Sequence, residues 1–327
     1  MKKIETVLLA GAGAVGLTQA SIIYQWNPKA IHILAAGERF LRYKEKGLQI
    51  NQQGIPFSLV NEENKLGSLE NPKYPDLIII ACKYHHLEQV IIDIKNYVGP
   101  DTLILSLLNG ISSEEIIGKT YGKERLPLAM IIGTDAQHKN ESTTFKLKGT
   151  IYFGEKTNPT TNGKANANCS QKVQLLATFF DEVGISYYIP EDMLKKLWFK
   201  FMSNVGINQA SAILKLPYGP FQNNNKPENI SYARQLMTDA MKEVVLIAQK
   251  EGIGLTEDDF QEWYDCLDGL TPESSTSMCQ DIMASRKTEV EMFALTVIEL
   301  GKKHGIPTPV NKTFYYQIKT LEETFHR

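Results

Sequence analysis

A glycine-rich turn between a short apolar run and a predicted helix constrains the fold of this chain more than any other feature. The run Val-Leu-Leu-Ala at 7–10 is typical of a buried strand, and a helix is predicted from about Leu17 to Trp26. A second strand is predicted at Ile31–Leu34. In such a unit the first glycine permits a tight turn, the second lets a pyrophosphate approach, and the third lets the helix pack on the strand. The pattern predicts a dinucleotide site rather than an empty turn, with phosphate contacts from Gly11, Ala12, Gly13, Ala14, Val15 and Gly16.

The residues that follow the second strand bear on the choice between NAD and NADP. An acid there would bind the ribose hydroxyls of NAD, whereas a basic residue would favour the 2′-phosphate of NADP. Here Ala35-Ala36-Gly37-Glu38-Arg39 follows, so Arg39 is a candidate for the phosphate and Glu38 for the ribose. Alternatively, both are solvated loop charges. The pattern favours NADP and leaves NAD open.

Two further apolar runs, Asp76–Cys82 and Leu103–Leu108, are predicted to be buried parallel strands. Lys83 follows the first run and Asn109-Gly110 follows the second. Ligands bind at the carboxyl ends of such strands, so Lys83 and Asn109 are predicted to meet cofactor or substrate. A surface lysine and an ordinary turn are the alternatives.

Later segments of the first half are less informative. Runs at 128–132 and 150–153 are predicted to extend the same sheet, with an antiparallel direction allowed. Residues 155–170 are rich in Asn, Thr and Gly and are predicted to form a polar loop without a packing signal or an assigned function.

After Pro190 the pattern changes from strands to helices. Helices are predicted at Asp192–Leu214, from about Ile230 to Glu251, around 257–267 and at Ser277–His304, with a Pro/Gly/Asn-rich connection at 217–227. The predicted fold class is α/β. A Rossmann-type domain at 1–189 is followed by an all-α domain at 190–327, with the active site in the cleft between them.

The opening helix of the second half carries an unusual polar stripe. Lys200, Asn204 and Asn208 recur every four residues and so share one face, while the rest of the cylinder is apolar, as in Trp198 and Met202. Buried amine and carboxamide groups need hydrogen-bond partners, and a substrate is one such partner. The alternative is an ordinary wet face that also includes Lys196 and Ser203.

A second polar group lies on the last predicted helix. Ser277 and Asp281 are one turn apart and Glu289 lies two turns further, so the three are predicted to share a broad face, with Arg286 nearby. The alternative is an exposed, charged helix that begins in the Ser/Thr-rich segment 273–277.

Together these motifs resemble the ketopantoate reductase family over nearly the whole chain. The resemblance rests on the glycine turn, Lys83, Asn109-Gly110, the 200/204/208 helix, and Ser277-Met-x-Gln-Asp281 with Arg286-x-Thr-Glu289. It implies NADPH-dependent reduction of ketopantoate to D-pantoate, a step towards pantothenate and coenzyme A. It also implies Lys200 as general acid and Glu289 as the carboxylate that orients it or binds the hydroxyl. The implied substrate ligands are Asn109, Asn204, Asn208 and Ser277, with Lys83 and Asn109 at the nicotinamide end.

The residue types suit this chemistry. Hydride arriving at a ketone carbon builds negative charge on the oxygen, which an ammonium can both stabilise and protonate. The cofactor is the hydride donor, so no metal or protein nucleophile is required.

One departure from the family concerns the cofactor. Many members carry an Arg just after the second strand, where this chain has Ala36. Either Arg39 substitutes for it or the enzyme has relaxed towards NADH. The alternatives are therefore an NAD-dependent D-2-hydroxyacid dehydrogenase of the same family and, in another class, a nucleotide-binding sensor, which would need no proton donor such as Lys200.

Composition narrows the partners. A net charge of −2 and 22% charged residues give no reason to expect nucleic acid or an anionic membrane as partner. The N-terminal apolar run is too short for a signal peptide, and no segment is predicted to span a bilayer.

Four cysteines without a CxxC pair indicate a reducing cytoplasm. The partner expected is a small 2-keto acid, and the apolar second domain is compatible with a homodimer.

Overall fold

The chain divides into two compact units in the computed structural model, Met1–Leu194 and Lys195–Arg327. The structure describes residues 3–61, 66, 73–223 and 231–325. Ile230, the predicted start of a helix, and the end of the connection at 217–227 lie outside these residues. The domain boundary at 189/190 and the active site between the domains stay predictions.

The first unit contains ten strands and five α-helices among the residues described. The strands are β1 (Val7–Ala10), β2 (Ile31–Leu34), β3 (Leu48–Ile50), β4 (Gln53–Ile55), β5 (Ser58–Val60), β6 (Leu77–Ile80), β7 (Leu103–Ser106), β8 (Leu128–Lys139), β9 (Ser142–Gly154) and β10 (Tyr187–Tyr188). The helices are α1 (Ala14–Trp26), α2 (Gly37–Lys46), α3 (Leu87–Asp93), α4 (Ser113–Tyr121) and α5 (Gln171–Val183).

A five-stranded parallel sheet in the order β5-β2-β1-β6-β7 forms the centre of this unit. Alternate β1 residues enter different cores: Leu9 joins α1 and α5 side chains, and Leu8 joins those of α3 and α4. Both faces are thus covered, as the continuous apolar runs indicate for parallel strands. The predicted Rossmann-type α/β fold is confirmed.

The prediction that runs 128–132 and 150–153 extend this sheet is wrong. They belong to the long antiparallel pair β8–β9, which forms a second sheet in the order β10-β9-β3-β4 with β8 beside β9. Ile151 and Phe153 of β9 pack in the core that contains α1, and Gln19 of α1 donates a hydrogen bond to the Lys148 carbonyl at 2.8 Å. Burial against α1, rather than pairing with β7, determines where these strands lie.

The polar segment 155–170 is also more ordered than its composition predicts. Asn158 is buried because its amide satisfies three backbone groups: it accepts from Glu155 N at 2.8 Å and donates to the carbonyls of Glu155 and Pro190 at 3.0 and 2.8 Å. Asn158 thus anchors the loop through hydrogen bonds to the backbone, and the buried Cys169 joins the loop to the apolar core.

The second unit is all-α in its described residues. Its helices are α6 (Met193–Leu214), α7 (Tyr232–Lys250), α8 (Asp259–Asp268), α9 (Ser277–Met283), α10 (Thr296–His304), which follows a π-helical turn at Glu291–Leu295, and α11 (Pro309–Glu323). Helix α11 was not predicted, although Pro309 at its first turn is a common start signal. None of the described helices combines the length and apolarity that crossing a membrane requires.

The predicted continuous helix Ser277–His304 is wrong. Helix α9 ends at Met283 and residues 284–289 are not helical. Ser285 has a φ of 51°, in the left-handed region, and the Arg286 amide returns to the Asp281 carbonyl at 2.8 Å. This break, hereafter the 284–289 break, carries Glu289 at its end.

Candidate active site

The three glycines of the turn have different surroundings. Gly11 has a φ of 115°, and a methyl group there would lie 2.6 Å from the Ala81 carbonyl oxygen. A methyl group on Gly16 would lie 2.1 Å from the Gly11 carbonyl oxygen. A methyl group on Gly13 would meet no atom of the described residues within 4 Å. The fold itself therefore requires the first and third glycines, whereas the second leaves open space beside the backbone.

Helix α1 begins at this open space. Gly13 is its N-cap and provides no side-chain cap, and its first turn contains no acidic residue. The first backbone N–H groups of a helix lack intrahelical partners, and the helix dipole favours an anion there. Gly11 and Gly13 stand in the turn with the buried Ala12, and Gly16 in the first helical turn with the half-buried Ala14 and Val15. Together these residues can hold a phosphate group.

The register of the parallel sheet aligns the ends of its strands. Ala10 pairs with Leu34 and Ile80, and Ile80 pairs with Ser106. Lys83 and Asn109 are half-buried, and each stands three residues beyond its strand, after Ile80 and Ser106 respectively. Both therefore lie at the edge of the sheet that carries the glycine turn, as the sequence predicted.

Arg39 lies in the first turn of α2, just beyond the end of β2. Its side chain is exposed and makes no hydrogen bond or ion pair with any residue in the described ranges. Arg42, one turn later, is instead held by Glu141 at 2.7 Å. Ala36 is the exposed N-cap of the helix. Arg39 is thus the cation of this turn whose side chain is not engaged by a carboxylate.

A buried carboxyl group in the first turn of α4, that of Glu114, was not anticipated from the sequence. Ser106 donates to Ser113 at 2.9 Å, and Ser113 donates to Glu114 at 2.8 Å. The other Glu114 oxygen accepts from the Ala129 amide at 3.1 Å, and burial raises the pKa of Glu114. The polar run at the start of α4 was the available signal for this network.

The polar stripe of α6 is not a wet face. Trp198 and Met202 are buried as predicted, but so are Ser203 at 4% and Asn208 at 7% exposure. The side chains of Asn204 and Asn208 make no hydrogen bond with a residue that the structure describes. Two carboxamides on this face can therefore bind a ligand.

Lys200 shares the stripe and has a strongly perturbed titration. Desolvation lowers the pKa of Lys200 to about 8, and the charge of Glu289 acts in the opposite direction. Lys196, one turn earlier, pairs with Glu262 instead. The structure thus brings Lys200 and Glu289 into electrostatic contact, although they are far apart in the sequence.

The predicted common face of Ser277, Asp281 and Glu289 is wrong because the 284–289 break separates Glu289 from α9. Ser277 is exposed in the first turn of α9, and the N-cap is Thr276, whose hydroxyl accepts from the Cys279 amide at 3.1 Å. Asp281 is buried and binds Arg286 at 2.9 Å. Glu289 is only 6% exposed, so the alternative of a solvated charged helix fails for it as well.

Comparison with known proteins extends over nearly the whole chain. Residues 7–158 match the family model described as "Ketopantoate reductase PanE/ApbA", and residues 192–322 match "Ketopantoate reductase PanE/ApbA C terminal". The chain is 25% identical over 319 residues to a 2-dehydropantoate 2-reductase of Aquifex aeolicus, which covers 96% of each protein.

Solved structures share the fold at lower sequence identity. A structure titled as D-mandelate dehydrogenase with NADH and anilino(oxo)acetate has a TM-score of 0.81 at 22% identity and covers 98% of this chain and 100% of its own. A dimeric ketopantoate reductase of Staphylococcus aureus has a TM-score of 0.72 at 21% identity, with 98% and 99% coverage.

Proposed function

The chain belongs to the ketopantoate reductase family, and we propose that it reduces 2-dehydropantoate (ketopantoate) to D-pantoate with NADPH, a step towards pantothenate and coenzyme A. The observation that carries the proposal is the α6 face, where a desolvated lysine lies in the field of a buried carboxylate. The same face presents two carboxamides that lack described protein partners. A proton donor beside ligand-binding amides suits reduction of a polar ketone.

Lys200 is the proposed proton donor. When bound, the nicotinamide supplies a hydride, and the keto oxygen then acquires negative charge. The Lys200 ammonium stabilises that charge and transfers one proton from Nζ to the oxygen, which leaves a neutral amine. A pKa of about 8 keeps Lys200 mostly protonated at pH 7 while making it a stronger acid than an ordinary lysine.

Glu289 is proposed to hold the ammonium in place, because its charge favours the protonated form of Lys200. We assign the substrate carboxylate and hydroxyl to Asn109, Asn204, Asn208 and Ser277. These side chains hydrogen-bond an anion without adding net charge to the site. No protein nucleophile takes part in this scheme.

The proposed cofactor position follows from the glycine turn. The space beside Gly13 and the uncapped start of α1 fit the pyrophosphate. Lys83 and Asn109 would contact the nicotinamide half, and Arg39 the 2′-phosphate. The unengaged Arg39 supports NADPH over NADH.

A second candidate is an NAD(H)-dependent D-2-hydroxyacid dehydrogenase. Ala36 favours it, because this small residue stands where many family members carry an Arg for the 2′-phosphate. The D-mandelate dehydrogenase that shares the fold was solved with NADH. Both candidates use the same residues and differ in the cofactor and in the 2-keto acid.

We also propose a homodimer, which the dimeric Staphylococcus aureus relative supports. The expected partner is the small 2-keto acid alone, without nucleic acid or membrane, and the cytoplasmic location stays a prediction.

The proposal is tested by steady-state oxidation of NADPH and of NADH by the purified protein with ketopantoate as acceptor. We expect turnover with NADPH and D-pantoate as product. Turnover with NADH alone would keep the chemistry and favour the second cofactor assignment. No ketopantoate reduction with either cofactor, together with reduction of a bulkier 2-keto acid, would replace the first candidate with the second.

A further inference from the structure

Glu289 stands in a short segment whose two sides are both attached to α11. On the N-terminal side, Thr288 is fully buried, and its backbone N and Oγ1 both donate to one oxygen of Glu322, at 2.8 and 2.7 Å. The Thr288 hydroxyl also accepts from the Val290 amide at 3.3 Å. One carboxylate oxygen of α11 therefore fixes the residue immediately before Glu289.

On the C-terminal side, Lys319 makes the attachment. Its ammonium donates to Glu291 at 2.8 Å and to the second oxygen of Glu322 at 2.8 Å. Burial disfavours the charge of Glu322, but the contacts with Lys319 and Thr288 more than offset this and keep the pKa of Glu322 below its ordinary value. The Glu322 carboxylate thus stays charged with both oxygens hydrogen-bonded, which favours one geometry.

Glu289 stands where the helical hydrogen-bond pattern of the chain changes. Its carbonyl accepts from the Met292 and Phe293 amides at 3.0 and 3.2 Å, where the π-helical turn Glu291–Leu295 begins. Such turns are rare and occur mostly as single turns within α-helices, frequently at functional sites. The 284–289 break and the π-helical turn together leave Glu289 without a regular helix on either side.

We propose that Glu322 and Lys319 are positioning residues for the reaction: a clamp from α11 that fixes the Glu289 carboxylate towards Lys200. This inference rests on the proposed function of Lys200 and Glu289 and deepens it. A carboxylate that is displaced from an ammonium loses its effect on the proton affinity of that ammonium. The charge of Glu289 acts on Lys200, and the Lys319 ammonium binds both Glu322 and Glu291.

Helix α11 offers a matched control at its other end. Glu243 of α7 is buried and accepts from the amides of Val310 and Asn311 at 2.8 and 3.0 Å, and from the Asn311 side chain at 2.7 Å. Glu243→Gln and Glu322→Gln therefore remove the charge of a buried carboxylate that binds backbone N–H groups and holds α11. Only Glu322 contacts the segment that carries Glu289.

The experiment measures the pKa of Lys200 in the full-length protein by NMR of 13Cε-labelled lysine, with the resonance assigned by its absence in Lys200→Met. Thermal unfolding and kcat for ketopantoate reduction are measured on the same samples. In Glu322→Gln we expect the Lys200 pKa to fall by about half a unit or more, because Glu289 supports the ammonium less well. We expect kcat to fall several-fold and the KM for NADPH to stay unchanged.

Glu243→Gln should lower the unfolding temperature and leave the Lys200 titration unchanged. Lys319→Met, at a half-buried position, should shift the titration in the same direction as Glu322→Gln. An unchanged Lys200 pKa in both Glu322→Gln and Lys319→Met would overturn the clamp, as would an equal shift in Glu243→Gln.

The NMR titration of Lys200 does not require turnover. The clamp and the proposed function can therefore be excluded independently of each other. A wild-type protein that reduces no 2-keto acid, but whose Lys200 pKa shifts in Glu322→Gln, would retain the clamp and lose the proposed function. Normal turnover of ketopantoate, together with a Lys200 pKa that is unchanged in Glu322→Gln and Lys319→Met, would retain the proposed function and exclude the clamp.

Discussion

The glycine turn and the α6 face are built in contrasting ways. The turn is six successive residues, and its shape depends on backbone contacts such as that between Gly16 and the Gly11 carbonyl. The α6 face depends on side chains that are far apart in the sequence, because the pKa of Lys200 on α6 responds to the charge of Glu289 at the end of the 284–289 break. A phosphate can be held by local backbone N–H groups, whereas a tuned proton donor needs a desolvated position and a distant charge.

The two regions also treat charge differently. The start of α1 has no acid in its first turn and no side-chain cap, so the positive end of the helix dipole remains available to an anion. In the helical unit the lysine is partly desolvated, and a carboxylate limits the resulting loss of proton affinity. The first arrangement suits binding and the second suits proton transfer.

The largest effect should come from the helical region. In Lys200→Met the proton donor is absent while a side chain of similar length remains, so we expect kcat to fall about 10²- to 10⁴-fold. The Kd for NADPH, measured by fluorescence titration, should change little. Lys196→Met is the control, because that lysine pairs with Glu262 on the surface and should leave kcat within about twofold. Equal losses in the two variants would remove Lys200 from its assigned role.

The glycine turn can be divided into a structural and a ligand-facing position. Gly13→Ala should leave the unfolding temperature nearly unchanged, because a methyl group there meets no described atom, and should weaken NADPH binding by about 30-fold through a clash with the pyrophosphate. Gly16→Ala should instead destabilise the protein by about 1–3 kcal/mol. Calorimetry for stability and fluorescence for binding separate the two. A Gly13→Ala variant that binds NADPH normally would contradict the phosphate assignment.

A smaller effect is expected at the end of β2. Arg39→Ala should raise the KM for NADPH about tenfold and leave that for NADH unchanged, since a charge-assisted hydrogen bond to the 2′-phosphate is lost. Arg42→Ala is the matched control because Glu141 already engages that guanidinium. Steady-state kinetics with each cofactor measures the KM for NADPH and for NADH in both variants. A similar rise for NADH and NADPH would exclude Arg39 from the 2′-phosphate site.

The sequence predicts the first sheet well because each predicted strand is recognisable from its own residues, without reference to distant ones. The apolar runs and the glycine spacing identify β1, β2, β6 and β7, and the parallel order follows from the βα alternation. The second sheet could not be predicted in the same way. Whether β8 pairs with β7 or forms a new sheet depends on burial against α1, which involves residues more than a hundred positions away.

The sequence identifies the residues of the helical site, but it does not predict their burial or the backbone conformation around them. Periodicity puts Lys200, Asn204 and Asn208 on one face, and the structure adds that Asn208 is buried. Periodicity also extends one helix through 284–289, because it does not register the backbone bonds from α11 that replace helical ones. Thr288 and Glu322 form those bonds although they are 34 positions apart, and no local sequence pattern predicts a hydrogen bond between residues so distant.

If a desolvated Lys200 donates the proton, its titration controls the pH dependence of kcat/KM for ketopantoate reduction by the wild-type protein, and this is the decisive measurement. Desolvation places the Lys200 pKa near 8, and only the protonated form can donate. The rate should therefore be constant at lower pH and fall tenfold per unit above an apparent pKa of about 8, with the reverse reaction showing the opposite limb. A rate of reduction that stays constant up to pH 10 would exclude Lys200 as the proton donor.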